Sequence, residues 1–510
     1  MVVPRPNQDE LAAIARGYGM QPAEMKLAAL EPVVSQFLDS YDVVEKLYAE
    51  VAPSVPSDRA ASQPAAKDNP LGAWSVTTNI VGQPGGPLTG YRVAIKDNTA
   101  VAGVPMMNGS ATLAGFVPAR DATVVTRLLE AGATIAGKAV CEDLCFSGGS
   151  HTSVTGPVLN PWDTSRTTGG SSSGSAALVA AGEVELAVGG DQAGSVRIPS
   201  SFCGTVGHKP TFGLVPYTGA FPIEMTVDHL GPIARTVRDA ALMLSVIAGR
   251  DGCDPRQPSD VVVDDYLGAL DRGVAGLRVG VVREGFGFDG LSDRAVDEAV
   301  RTAVFQLRDA GMEVQEIDLP WHRHALHVWG VIATDGAAVQ MIDGNGYGHN
   351  WDGLYDPELI EFFGRQRREV ADRWSPTVTA VSWAGRWSAE QLHTKHYAMA
   401  RNLVPVVRRH YDDALASFDV LAMPTLPMTA PKLVAPTDPI AVSVQRSMEM
   451  IVNTAPFNVS GHPATSVPAG LVDGLPAGLM FIGKRFADAT CLRVARAWEK
   501  LCGGFPAPPA

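Results

Sequence analysis

Basic charge is the first thing this sequence lacks. Lys and Arg total 41 against 54 Asp and Glu, leaving a formal net charge of −13 over 510 residues. A chain that acidic has no basic face to offer nucleic acid or an anionic membrane, so neither is expected as a partner. Cysteine is scarce as well. The six thiols (Cys141, Cys145, Cys203, Cys253, Cys491 and Cys502) are scattered, with no disulfide framework and no paired C-x-x-C site. They read as reduced thiols, and no metal is expected. No stretch approaches the ~18 uninterrupted apolar residues of a membrane span. The opening MVVPRPNQDELAAIARGYG lacks the apolar core and small-residue cleavage site of a signal peptide. The expected location is cytoplasmic. Internal repeats and low-complexity tracts are also missing. With 46% hydrophobic and 19% charged residues, nothing in the balance suggests disorder.

What the sequence does have is alternation. Asp9 to Arg16 and Glu31 to Val51 carry apolar residues at three- and four-residue spacings, predicting helices. VAPSVPSDRAASQPAAKDNP then reads as a linker, with a boundary near residue 70. YRVAIKDN predicts a short buried strand. DATVVTRLLEAGATIAGKAV predicts helix, turn and strand, with Asp121 as N-cap and Gly132 at the C-cap. SGSAALVAAGEVELAVGGD repeats that pattern, as do GLRVGVVRE, SDRAVDEAVRTAVFQLRDAG and MEVQEIDLP. FDVLAMPTLP, PATSVPAG and AGLMFIGKR read as returning core strands, and DATCLRVARAWEKL as a last helix. The expected fold is α/β, with a mixed, largely parallel central sheet flanked by helices. The expected layout is an N-terminal helical domain and linker (1–70), an α/β core in two parts (71–316 and 416–510), and an inserted small subdomain (317–415).

Several near-motifs fail on their chemistry. VAIK at 93–96 has no Gly-rich loop before it and no H-R-D or D-F-G after it, against a kinase. GATIAGKA at 132–139 carries Ala139 where a P-loop needs Ser or Thr for magnesium. His322, His324 and His327 have no carboxylate or cysteine at a metal-ligand spacing. Gly170-Ser171-Ser172-Ser173-Gly174 fits G-x-S-x-G, but NPWDTSRTTGG before it reads as a loop, whereas a nucleophile elbow needs a strand there.

The densest signal is residues 167–213, TTGGSSSGSAALVAAGEVELAVGGDQAGSVRIPSSFCGTVGHKPTFG. Its glycines permit positive φ and close backbone approach. Successive N–H groups in such turns can converge on an oxyanion. A serine beside such a turn suits acyl transfer if a base is at hand. Neither His151 nor His208 is convincingly placed. A buried lysine can serve, because desolvation disfavours the ammonium. Lys96 is the candidate, and the bland alternative is a surface lysine or an ion pair with Asp97.

These segments resemble the amidase signature family. The resemblance rests on GGSSSGSAALVAAG and GGDQAGSVRIPSSFCGTVGHKPTFG. It extends to VAIKDN upstream and to DHLGPIARTVRDAA and GLPAGLMFIG downstream. The helical start and GHKPTFGLVPYTGAFPIE look more narrowly like bacterial amidases that accompany nitrile hydratases. The resemblance implies that Lys96 is the base and Ser171 a bridging serine after a non-proline cis bond from Gly170. It makes Ser195 the nucleophile and the backbone amides of Gln192, Ala193, Gly194 and Ser195 the oxyanion hole. Asp191 and Arg197 would brace that loop, or else form a solvent-facing pair. Phe146, Val227, Trp329 and Ile451 would line an acyl pocket if they are not ordinary core, with Met448 and Met450 adding adaptable surface. Many relatives carry two glycines before the nucleophile where this chain has Ala193-Gly194. If position 193 requires positive φ, that alanine is strained.

The implied activity is hydrolysis of a small-molecule carboxylic amide through an acyl-enzyme, without metal or cofactor. The alternatives are carbamate, anilide or ester cleavage on the same residues, the glutaminase subunit of a tRNA-dependent amidotransferase, and a catalytically dead scaffold. By the same resemblance, the N-terminal helices would form a homodimer interface.

Overall fold

The computed structural model describes residues 3–509 and divides into two compact units, 3–55 and 56–509. The first holds helices Gln8–Gly17 and Glu24–Ala49. Asn7 and Glu10 form a capping box at the start of the shorter helix. Arg5 ties the segment before it to Asp39 and Asp42 on the longer one. Neither helix contains a buried residue.

The second unit begins at Pro56, earlier than the expected boundary near residue 70. Side-chain and strand pairing anchors the proline-rich stretch. The Arg59 guanidinium pairs with both carboxylate oxygens of Asp121 at 2.6 and 2.8 Å. Asp121 is therefore not the helix cap expected of it. Its carboxylate serves Arg59 and the Ala102 N–H, while Ala122 caps helix Thr123–Glu130 without a side-chain bond.

In chain order the strands are β1 (Ala61–Ser62), β2 (Trp74–Val81), β3 (Arg92–Lys96), β4 (Thr134–Ala139), β5 (Leu159–Asn160), β6 (Asp163–Thr167), β7 (Leu186–Asp191), β8 (Val206–Lys209), β9 (His229–Ala234), β10 (Arg278–Val282), β11 (Glu313–Ile317), β12 (Val420–Pro424), β13 (Ala464–Val472) and β14 (Leu475–Gly483). Twelve of them form one sheet in the order β1-β2-β4-β3-β7-β9-β8-β13-β14-β12-β10-β11. The sheet is mixed and flanked by helices, as expected, but it is not largely parallel. Parallel pairing is confined to β4-β3-β7 and β12-β10-β11. The remaining neighbours run antiparallel. The reason is local at β13 and β14, where Asp473-Gly474, both at positive φ, close a tight hairpin that only antiparallel strands can use. A second correction concerns NPWDTSRTTGG, which is not all loop. Asp163–Thr167 is a short strand paired with β5, outside the main sheet.

The stretch expected as an inserted subdomain is helical and belongs to the same compact unit. Helix Trp321–Gly336 runs on as a π-helical turn Ala337–Asp343, and Pro357–Glu369, Pro376–Leu392 and Lys395–Ser417 follow before β12. Trp321–Asp343 has the length and apolarity of a membrane span, yet 61% of its apolar window is buried inside the protein. It packs on Pro376–Leu392, Lys395–Ser417 and Pro456–Ser460, and its buried His322 bonds Tyr411 and Asn453. It is a core helix by its surroundings.

Helix Ser173–Ala180 is buried along its whole length. Its small residues have a steric cause. A Cβ at Gly174 would stand 2.4 Å from the Ala73 carbonyl oxygen and 2.6 Å from the Val140 nitrogen. The helix therefore presses directly onto the backbone that leaves β4. This close packing brings Ser171, at its head, to the carboxyl ends of β4, β3 and β7, where open α/β sheets place their ligands.

Candidate active site

Lys96 is the last residue of β3 and is fully buried. Its Nζ lies 2.8 Å from Ser171 Oγ and 3.2 Å from the Gly190 carbonyl oxygen. It does not pair with Asp97, the alternative its position in sequence had left open. Asp97 instead takes Lys138, the lysine of the failed P-loop match, at 3.0 Å. The Gly170–Ser171 peptide is cis. Ser172 is occupied elsewhere: its hydroxyl donates to the Gly190 carbonyl and its N–H to the Ser195 carbonyl. The histidines that might have served as a base have other partners. His208 bonds Thr465 and Asp488, and His151 bonds Ser443.

Between the end of β7 and helix Arg197–Cys203 the chain makes a tight loop, Gln192 to Val196. Among the described residues, no protein acceptor takes the N–H groups of Gln192, Ala193, Gly194 or Ser195, while the next one, Val196, donates to Asp191 Oδ2. Four consecutive N–H groups beside a serine are thus left free to meet negative charge. Gly194 carries the loop's positive φ, at 136°, and a Cβ there would stand 2.3 Å from Thr454 Oγ1. Ala193 is outside the left-handed region, so the strain considered for it does not arise. Its carbonyl accepts from Thr454 Oγ1.

The loop is braced from behind by buried charge. Arg197 meets both oxygens of Asp191, at 2.9 and 3.0 Å, with both side chains fully buried. The solvent-facing alternative is thereby excluded. Asn458 completes the brace, accepting from Arg197 Nη2 at 2.8 Å and donating to Asp191 Oδ1 at 3.0 Å. Burial works to raise the Asp191 carboxyl, but Arg197 outweighs it and holds the group below the usual carboxylate range.

A mostly apolar cleft opens beside Ser195, with an empty volume of about 400 Å³, open solvent at its mouth included. Phe146, Val227, Trp329 and Ile451 line it together with Gln192, Ala193 and Ser195. Trp329 also fixes the loop, donating its indole N–H to the Gln192 carbonyl at 2.8 Å. Met448 is in the wall, whereas Met450 is wholly buried.

Sequence reasoning missed several contributors. Cys145 and Ile223 line the cleft, and Tyr217 receives the Gln192 side chain at 2.9 Å. Glu142 is buried behind Ser171, accepting from Thr152 and Ser173. Burial pushes its carboxyl up to about 7 despite those bonds. Thr454 and Asn458 lie more than 250 residues beyond the loop they hold, so no local pattern points to them. The one signal available was Cys145, four residues from Cys141 and next to Phe146.

A twelve-stranded mixed sheet with a lysine–serine pair and an amide-lined loop at its strand ends matches a known family. The profile described as Amidase matches residues 42–492, and the chain belongs to the amidase signature family. It is an amide hydrolase. An enantioselective amidase of Rhodococcus rhodochrous is 53% identical over 508 residues, covering 99% of this chain and 97% of that one. A glutamyl-tRNA(Gln) amidotransferase subunit of Exiguobacterium sibiricum is 39% identical, covering 83% and 86%. Among solved structures, a bacterial aryl acylamidase of the amidase signature family superposes with a TM-score of 0.69 at 26% identity, covering 85% and 90%.

Proposed function

We propose that the chain hydrolyses carboxylic amides through a Ser195–Ser171–Lys96 relay and an acyl-enzyme. Lys96 Nζ accepts the proton of Ser171 Oγ, and Ser171 Oγ accepts that of Ser195. Ser195 Oγ attacks the amide carbonyl carbon. The carbonyl oxygen takes up the electron pair and is held by the N–H groups of residues 192–195. Collapse breaks the C–N bond, and the relay returns a proton to the departing ammonia or amine. Water then attacks the ester under the same base, freeing the carboxylate. The four uncommitted N–H groups beside Ser195 carry this reading most, because a structural loop would spend them on protein acceptors. No step calls for a metal or cofactor.

The apolar wall of the cleft favours an aryl or branched aliphatic acyl group over a charged one. Ammonia release from benzamide and propionamide, and amine release from an anilide, test this with wild type and Ser195→Ala. Turnover by wild type and a loss of several powers of ten in the variant is the expected result. Wild-type activity in the variant removes Ser195 from the mechanism.

We also infer a homodimer through the first unit, in the cytoplasm. Leu30, Phe37 and Val44 recur every seven residues on helix Glu24–Ala49 and are 44%, 71% and 62% exposed. A seven-residue apolar repeat suits packing against a second helix of the same kind. Sedimentation of Phe37→Asp/Val44→Asp is expected to give the monomer mass against a dimeric wild type. A dimeric variant, or a monomeric wild type, overturns the interface.

A further inference from the structure

A second cleft takes no part in that chemistry. Its empty volume is about 1500 Å³, open solvent included, several times that of the acyl cleft. The two share a wall. Ile223 and Val227 line the acyl cleft, while Glu224, Met225 and Thr226 between them line the larger one.

The charges in this second cleft do not balance locally. Its carboxylates are already engaged: Glu224 accepts from the Thr226 N–H and from the Thr226 and Tyr397 hydroxyls, and Asp343 pairs with Arg386 at 2.8 Å. Arg256 is engaged as well, bound to Asp254 and set over the Phe212 and Tyr217 rings. Arg401 and Arg408 are different. They stand two turns apart on helix Lys395–Ser417, on one face with Val404. Arg401 gives a single bond, to Thr226 Oγ1, and Arg408 a single bond, to the Ser460 carbonyl. Among the described residues, neither has a carboxylate within ion-pair distance. Each guanidinium carries five donors, so most are uncommitted in a half-buried setting. Burial, with Arg485 and Arg401 nearby, pulls the Arg408 guanidinium below its ordinary value and outweighs Asp412 one turn along the helix, which also faces Arg485 and His462. A local excess of positive charge of this kind is relieved by an anion.

We propose that this cleft binds a small molecule through an oxyanion, carboxylate or phosphate, held by Arg401 and Arg408. Its carbon skeleton rests on Val404 and Tyr347. Planar guanidinium forks suit both anions. The occupant also reaches Asn458, which lines this cleft and braces Asp191 and Arg197 behind the loop. The site is therefore one residue removed from both the acyl wall and the loop.

Thermal unfolding at constant ionic strength, titrated with inorganic phosphate and separately with benzoate against a sodium chloride control, tests the proposal. At least one anion is expected to raise Tm saturably, by a few degrees at a hundredfold excess over Kd. Which anion does so identifies the source. Arg401→Gln/Arg408→Gln is expected to lose that rise while keeping benzamide kcat/KM within about twofold. Val339→Glu, which adds a carboxylate on the exposed rim without touching the core, is expected to weaken binding at least tenfold. It carries the test alone if the double variant does not fold. Benzoate held in the acyl cleft instead would compete with benzamide and persist in the double variant. Only a rise that the double variant loses supports the second cleft, and the absence of any such rise from phosphate and benzoate at tens of millimolar overturns the proposal.

Discussion

Two lysines end neighbouring strands of the same sheet and meet different fates. In the parallel pairing of β3 with β4, Lys138 sits opposite Ile95 and Lys96 opposite Ala139. Both side chains are fully buried. Lys138 meets a carboxylate, Asp97, which Ser75 and the Met107 N–H also serve. Lys96 donates to neutral oxygens, Ser171 Oγ and the Gly190 carbonyl, with the Cys145 thiol beside it and, among the described residues, no carboxylate paired to it. A carboxylate partner makes a buried lysine half of a structural ion pair. Neutral oxygens hold the nitrogen in place without binding it to a fixed countercharge. Depth in the fold is equal at the two ends, so the partner is what distinguishes the scaffold lysine from the proposed base.

Substituting both positions is the sharpest way to break that contrast. Lys96→Met is expected to lose three or more powers of ten in kcat/KM on benzamide, as the proposed relay requires, with folding stability nearly kept. Lys138→Met is expected to reverse the pattern, leaving Asp97 buried without its countercharge at about 3–5 kcal/mol of stability in urea unfolding. Equal stability losses in the two variants would erase the distinction.

The next effect is on pH dependence. Glu142 sits at about 7 in the folded protein, above its ordinary 4.5. Its contribution is full below pH 4.5 and is lost as pH rises toward 7, because the unfolded carboxyl ionises first. The loss approaches about 3 kcal/mol. Glu142→Gln is expected to flatten Tm across that window, and an unchanged slope would acquit the carboxyl. Ala193→Gly should do least. Because Ala193 is not in the left-handed region, rates are expected to stay within about tenfold, with any change larger for bulky acyl groups.

How much of this was legible follows from the range of each interaction. Lys96 stood out because an apolar strand leads to it and the glycine–serine cluster marked the region, while Ser171 and Ser195 were picked out of that cluster by family resemblance. The four cleft residues named from family resemblance do line one cavity. What stayed hidden depends on contacts between distant segments. That Asp97 belongs to Lys138 is a fact of strand register. That Asp121 serves Arg59 is a fact of where the proline-rich stretch docks. Asn458 and Thr454 declare themselves only once β13 and β14 have placed the preceding segment. Asp473-Gly474 between two apolar runs is a local hairpin signal, and it argues against a largely parallel sheet.

Gly194 also constrains how this loop can change over generations. Two separate barriers close the position to other residues: its φ of 136° and Thr454 Oγ1 at 2.3 Å from any added Cβ. Shrinking Thr454 to alanine still leaves its Cβ at 2.6 Å and Ile198 Cδ1 at 2.8 Å from the added atom, and the φ barrier stays, while the hydroxyl that holds the Ala193 carbonyl is lost. Changing Thr454 therefore opens nothing at Gly194, and changing Gly194 meets both barriers at once. A lineage or a mutant library exploring new substrates is channelled to Ala193 and the cleft walls, with Gly194 and Thr454 inherited as a unit.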